Sequence, residues 1–214
     1  MLTPQECIDF ICLRNEADGL NYIKLGNDTD TLIHKREDGE VVIAFCGPNS
    51  NSDVKSFIAF GKETYKDAEI PFRAHAGFLK CWKLIKQDVE DIVESLNPTC
   101  ITITGHSYGG GIAILCAEDM RYNYPDRKIN LITFGAPKVI GSKNWKKIKS
   151  RWNGAREFRC GSDIMPCYPF FGFRHVVDVT CIGDKPCFFK GFQKSVKYHD
   201  IESYSKEIRK ISES

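Results

Sequence analysis

The most constraining passage of this chain lies at its centre. Cys100 to Thr104 alternate β-branched residues, Gly105-His106-Ser107-Tyr108-Gly109 follow, and Ile112, Ile114, Leu115, Cys116 and Met120 then repeat at helical spacing. This predicts a strand, a sharp turn and a helix in immediate succession. The bare pattern G-x-S-x-G is weak, because both residue types are common. Between a strand and a helix it predicts a nucleophile elbow: the turn exposes Ser107, the glycines relieve crowding, and the helix start presents N–H donors to a developing oxyanion. Gly109, Gly110 and Gly111 also cost the helix about 1 kcal/mol each, which makes sense where backbones approach closely.

The flanking patterns place this passage in an α/β fold. Pro4 after Thr3, then Cys7, Ile8, Ile11 and Cys12, predict a short helix ending near Asn15. Asn21 to Leu25, Thr31 to Lys35 and Val41 to Cys46 predict strands, with a turn at Glu37-Asp38-Gly39 and antiparallel pairing. Between Gly77 and Leu96, apolar residues at spacings of three and four predict one long helix, ended by Asn97-Pro98. Further strands are predicted over Ile129 to Phe134, over Ala155 to Cys160 and within His175 to Ile182. Helices are predicted over about Ser142 to Trp152 and from about His199 onward. Alternating helices and strands imply parallel βαβ units, hence a mostly parallel central sheet flanked by helices. No linker, repeat or low-complexity tract divides the chain, so residues 1 to 214 are expected to form one domain.

Composition excludes several function classes. Thirty Lys plus Arg against 28 Asp plus Glu leave a net charge of +2, too small for a nucleic-acid footprint, so no nucleic-acid partner is expected. Apolar runs such as Val41 to Cys46 fall far short of the ~20 residues that span a bilayer. The acidic first residues lack a signal-peptide pattern, which gives the expectation of an intracellular setting. The ten cysteines are accordingly expected as free thiols, and no C-x-x-C spacing suggests a metal site.

Several motifs agree in order with one family. His75-Ala76-Gly77-Phe78, Gly105 to Gly109, Thr133-Phe134-Gly135-Ala136-Pro137, and Asp163-Ile164-Met165-Pro166 with Pro169 resemble the class 3 lipases, the fungal-type triacylglycerol lipases of the α/β-hydrolase fold. The resemblance runs from about Thr31 to the final helix. It implies a serine carboxylic ester hydrolase acting on lipid or small esters, with Ser107 as nucleophile, Asp163 as acid, and His199 of Tyr198-His199-Asp200 as base, Tyr204 following. It implies no metal and no organic cofactor.

The residues can also be weighed alone. A triad needs its acid and histidine after the elbow, on loops at the C-terminal edge of the sheet. Asp163 follows a strand, whereas Asp119 lies within a helix pattern and Asp178 within an apolar strand. His199 follows a loop, with His175 as the alternative base; His34, His75 and His175 otherwise read as packing residues.

The chain departs from the family at Phe45-Cys46-Gly47-Pro48-Asn49, where the family carries Ser or Thr after the glycine. Pro48 has neither N–H nor hydroxyl, so Tyr108 and Asn49 are the candidate oxyanion donors. Pro48 to Ser56, the position of the family's lid, holds one large apolar residue, Val54, which predicts weak activation at oil surfaces. Tyr168, Phe170, Phe171, Phe173, Phe188, Phe189 and Phe192 are candidates for an acyl pocket or for core. Lys143 to Arg156, with Trp145 and Trp152, is a candidate for peripheral contact with lipid surfaces or a solvated helix face. The alternative function is a degenerate hydrolase fold that binds a lipid or protein partner. Chain length, headgroup and oligomeric state are not encoded in these patterns.

Overall fold

The computed structural model describes residues 2–13, 21–24, 30–47, 61–66, 68, 71–143, 145–149, 152, 154–185 and 192–213. The first half contains α1 (Pro4–Leu13), β1 (Asn21–Lys24), β2 (Asp30–Lys35), β3 (Glu40–Phe45), β4 (Lys62–Tyr65), β5 (Phe72–His75), α2 (Ala76–Leu96) and β6 (Cys100–His106). The second contains α3 (Tyr108–Asn123), β7 (Lys128–Phe134), β8 (Ile140–Gly141), α4 (Trp145–Lys149), β9 (Ala155–Cys160), β10 (Phe173–Arg174), β11 (Val179–Ile182), α5 (Phe192–His199) and α6 (Ile201–Ser212), with a 3₁₀ turn at Met165–Cys167.

Seven strands form the central sheet in the order β1-β2-β3-β6-β7-β9-β11. The β1–β2 and β2–β3 pairs are antiparallel, the second across the turn at Gly39, and every pair from β3 to β11 is parallel. Strand β3 is buried along its whole length, and its alternation feeds both faces. Val41, Ile43 and Phe45 join the core under α2 and α3; Val42 and Ala44 join the one under α1 and α6. Each of the buried Val, Ile and Phe side chains contributes about 1.5–3 kcal/mol. This two-sided burial, with parallel strands between, is the α/β-hydrolase arrangement predicted from the sequence.

Helix α2 buries Phe78, Leu79, Trp82, Ile85, Val89 and Val93 on one face and ends at Asn97, whose left-handed backbone (φ 44°) lets its N–H reach the Val93 carbonyl. Helix α3 is buried continuously from Tyr108 to Met120, wedged between the sheet and α2.

Three local expectations are corrected. Helix α4 is only Trp145–Lys149, and Trp152 lies beyond it, 5% exposed, with its indole N–H on Glu118 Oε1 at 2.6 Å. Trp152 is therefore a core residue and not part of a headgroup-facing surface. The helix expected from about His199 is α6, capped by Asp200, whose side chain accepts from the Glu202 N–H, and it is preceded by α5, which the sequence pattern did not predict. His199 is thus the last residue of α5. A second sheet, β10-β8-β5-β4, was not predicted at all. Among the described residues no helix is long and apolar enough to cross a membrane, and nine of the ten cysteines are described and are free thiols.

Candidate active site

Strands β6, β9 and β11 all point their C-terminal ends the same way, and Ser107, Asp163 and His199 each follow one of them. Ser107 has φ 55° and ψ −122°, and Asn97 is the one other non-glycine with positive φ among the described residues. Such a conformation costs about 1–3 kcal/mol and persists only where surroundings impose it. Here the Ser107 N–H donates to the Phe134 carbonyl at 2.9 Å, and the Ser107 carbonyl accepts from Gly111 N–H at 3.3 Å.

The glycines explain how the turn fits. A Cβ on Gly105 would stand 2.5 Å from the Gly109 carbonyl oxygen, and one on Gly109 would stand 2.2 Å from that of Phe45. One on Gly110 would meet the Ala136 Cβ at 2.7 Å, and one on Gly111 the Phe78 ring at 2.6 Å. The helix tolerates three poor helix formers because α3 has to lie directly against β3 and the loop after β7.

A continuous hydrogen-bonded line runs from the elbow inward. His199 Nε2 lies 2.7 Å from Ser107 Oγ, and His199 Nδ1 lies 2.9 Å from Asp163 Oδ2. Asp163 is fully buried; its Oδ2 also accepts from the Tyr204 hydroxyl at 2.6 Å, and its Oδ1 from the Met165 N–H at 2.9 Å. Because the carboxylate only accepts, Nδ1 carries the proton and Nε2 presents its lone pair to the hydroxyl. Burial, followed by the charge of Asp163, holds the Tyr204 phenol protonated far above its ordinary range.

Gly135 in Thr133-Phe134-Gly135-Ala136-Pro137 has φ 60°, and a Cβ there would stand 2.9 Å from Asp163 Oδ2 and 3.2 Å from His199 Cε1. That motif leaves room for the acid and the imidazole. His106, inside the elbow, donates from Nε2 to the His199 carbonyl at 2.7 Å and lies against its ring at 4.9 Å. It ties the elbow to the end of α5. Sequence reasoning gave His106 no part, and the resemblance noted Tyr204 without one; a buried phenol's need for a partner was the available signal for the latter.

Of the two oxyanion candidates, Tyr108 begins α3 directly after Ser107, so its N–H sits at the positive end of the helix dipole. Its ring packs on Phe78 at 5.0 Å, and its hydroxyl donates to Cys81 Sγ at 2.6 Å. Asn49, Pro48 and the lid segment to Ser56 lie outside the described residues, as do Phe188 and Phe189 and the side chain of Phe192.

The other aromatics divide. Phe173 is core, against His75 at 5.3 Å, whereas Phe170 and Phe171 are 54% and 89% exposed. The alternative acids are engaged elsewhere: Asp119 is buried and bonded to Trp82 and Lys86, and the exposed Asp178 pairs with Lys149. The alternative base, His175, is held by Glu157 and the Pro166 carbonyl. Among the described residues no group of three or more His, Cys, Asp or Glu side chains is arranged to hold a metal ion.

Comparison with known proteins bears on this arrangement. The Lipase (class 3) family pattern matches residues 42–173. A secreted mono- and diacylglycerol lipase of Fusarium solani is 31% identical over 148 residues, covering 64% of this chain and 42% of that protein. A lipase of Rhizopus niveus is 26% identical over 183 residues, covering 79% and 46%. The chain therefore spans less than half the length of these two curated relatives. The structure of the Rhizomucor miehei lipase propeptide complex superposes with a TM-score of 0.67 at 22% identity, over 85% of this chain and 66% of that one. The match to a lipase named as secreted overturns the intracellular setting expected from the first residues, whose lack of a signal-peptide pattern describes only those residues. With the family pattern covering well over half of the residues, the chain belongs to the class 3 lipase family.

Proposed function

We propose that this protein is a serine carboxylic ester hydrolase that cleaves lipid or small esters through a Ser107-His199-Asp163 triad. The observation that carries the reading is the unbroken line from Ser107 Oγ to His199 at 2.7 Å and on to Asp163 at 2.9 Å, on a backbone turn with no reason to be strained in a merely structural serine. His199 Nε2 takes the Ser107 proton as Oγ attacks the ester carbonyl, and Asp163 orients the ring and stabilises the imidazolium. The Tyr108 N–H is one oxyanion donor and Asn49 the other. His199 then protonates the departing alcohol, and water, activated by the same nitrogen, releases the acyl group from Ser107.

The relatives named above as lipases support an ester substrate with a lipid acyl chain, and the one named as secreted supports an extracellular setting. We further propose that residues 1 to 214 act as one domain. The test is hydrolysis of p-nitrophenyl esters from two to sixteen carbons by wild type and Ser107→Ala, after labelling with a fluorophosphonate. Labelling and turnover that both vanish in Ser107→Ala are expected. Absence of label and of turnover on every ester would leave the fold as a binding module. Asn49→Ala is expected to lower turnover about 100-fold or more, as loss of one oxyanion donor does elsewhere.

A further inference from the structure

The loop that carries Asp163 is anchored from two sides. On the inner side the Ile164 N–H donates to Ser195 Oγ at 3.0 Å, and the Met165 N–H holds Asp163 Oδ1. On the outer side the next two residues of the Met165–Cys167 turn are held by cations. The Pro166 carbonyl accepts from His175 Nε2 at 2.6 Å, and the Cys167 carbonyl accepts from Lys138 Nζ at 2.8 Å. The other ring nitrogen of His175, Nδ1, lies 2.5 Å from Glu157 Oε2.

Glu157 stands on β9, six residues before Asp163. It is 1% exposed, and its second oxygen accepts from the Val176 N–H at 3.0 Å. This geometry fits a doubly protonated ring beside the Glu157 carboxylate. A carboxylate and a carbonyl oxygen both accept, so both ring nitrogens have to donate, and only the imidazolium has two N–H groups. Losing one proton would set a lone pair against an oxygen at hydrogen-bond distance and free one of the two anchors.

The charged groups that share the open pocket of about 190 Å³ beside His175 are Lys138 from the loop after β7, Lys149 from α4, its neighbour Arg174, and Asp178. The nearby cations, Lys138 among them, oppose the second proton, and Glu157 supports it. Burial alone would depress the pKa of His175, but the charge of Glu157 and the hydrogen bonds to Glu157 and Pro166 outweigh it and leave the pKa raised.

We propose that His175 is a positioning residue for the reaction: its imidazolium, locked by Glu157, clamps the Met165–Cys167 turn and thereby sets the carboxylate of Asp163. Alkaline loss of one ring proton then loosens the acid and slows the chemical step while leaving substrate binding unchanged. The proposal rests on the reading of Asp163 as the triad acid.

The test is kcat and KM on a soluble p-nitrophenyl ester across pH 5 to 10 for wild type, Glu157→Gln, His175→Gln and Ser107→Ala. Glu157→Gln keeps the shape and an acceptor but removes the charge. It is expected to move the alkaline fall of kcat to lower pH by about one unit or more, the effect of losing an opposite charge at this range, with KM within twofold. In His175→Gln that alkaline fall is expected to disappear, with kcat lower at every pH by about tenfold to a hundredfold, the cost of slightly misplaced groups. A purely structural role would lower activity in both variants without moving the limb, and an unmoved limb in Glu157→Gln overturns the proposal. Should the variants not fold, ring-nitrogen NMR of the wild type decides: two protonated nitrogens on His175 at pH 7 support the clamp, and a neutral ring overturns it. Turnover that does not depend on Ser107 would overturn the triad reading itself, an outcome separate from Ser107-dependent turnover with an unmoved limb.

Discussion

Gly109→Ala sets two principles against each other. In a helix, alanine is favoured over glycine by up to ~1 kcal/mol, so propensity alone predicts a more stable protein. The structure predicts the opposite. A Cβ at 109 would stand 2.2 Å from the Phe45 carbonyl oxygen and 2.7 Å from its carbon, both backbone atoms of the buried strand β3. Carbon and oxygen rest at about 3.3 Å or more, so α3 and the end of β3 have to separate by ~1 Å. Overpacking costs roughly 1–3 kcal/mol, and a clash with two backbone atoms of a buried strand falls at about 2–3, leaving a net loss of about 1–2 kcal/mol after the propensity gain. For a chain of this size that lowers Tm by about 2–8 °C. The same displacement moves the elbow, so turnover is expected to fall on the order of 100-fold. The assay is urea unfolding with the m-value held as a check, alongside Gly61→Ala as control. At Gly61 a Cβ meets, among the described residues, the Ala76 Cβ at 3.5 Å, an ordinary contact, and the change is expected to be neutral or stabilising by up to ~1 kcal/mol. A Gly109→Ala protein that unfolds at or above the wild-type midpoint would refute the close-packing account of these glycines.

Tyr204→Phe removes the donor at 2.6 Å from Asp163 Oδ2 without changing the shape of the core, and is expected to cost about 1.5–3 kcal/mol of stability, read by the same unfolding assay. Asp119, with no exposed surface, has its pKa raised to about 6 by burial, which outweighs its bonds to Tyr65, Lys86 and Trp82. The folded state therefore holds this proton more tightly than the unfolded chain does, and the associated stability is present below about pH 4 and lost as pH rises through about 6. Roughly two units correspond to about 3 kcal/mol. Asp119→Asn is expected to flatten that part of the stability profile, and an unchanged slope between pH 4 and 7 would contradict it. Trp152→Ala, which opens the core and removes the indole donor to Glu118, is expected to cost about 3–5 kcal/mol by thermal unfolding, whereas a lipid-facing tryptophan would cost almost nothing.

The legible part of the fold is the part where periodicity and burial coincide. Strand β3 reads as a continuous apolar run because both faces of the central sheet are covered, and α2 reads as a helix because only one face is. The second sheet was invisible for the opposite reason. Its strands are two to four residues long, they carry charges such as Lys62, Glu63 and Arg73, and they meet across large separations, as Ala74 does with Ile140. Local pattern has no purchase on such pairings, because what stabilises them is supplied by the rest of the chain. Helix α5 was less legible, because Ser195, Val196, Tyr198 and His199 are weak helix formers and the N-cap signal of Asp200 marks only the start of α6.

The candidate site divides along the same line. Ser107, Asp163 and His199, which lie in one hydrogen-bonded line, were legible from the family resemblance and because a sharp turn needs glycine and a triad's acid and base would follow strands at one sheet edge, constraints that leave local traces. His106 and the Glu157–His175 pair leave none and Tyr204 only a buried phenol's need for a partner, since each is defined by a partner at least eighteen residues away: 41 for Tyr204, 93 for His106, 18 for the pair. Glu157 illustrates the difference most sharply. In sequence it is one more charge in a strand that begins Ala155-Arg156-Glu157, and a charge there reads as solvent-facing. Buried, a carboxylate is tolerated only with full compensation, and it receives an imidazolium and a backbone N–H. A buried charge that the core does not need, joined through His175 to the turn beside Asp163, is a cost that packing alone gives no reason to keep; the proposed positioning of Asp163 supplies one.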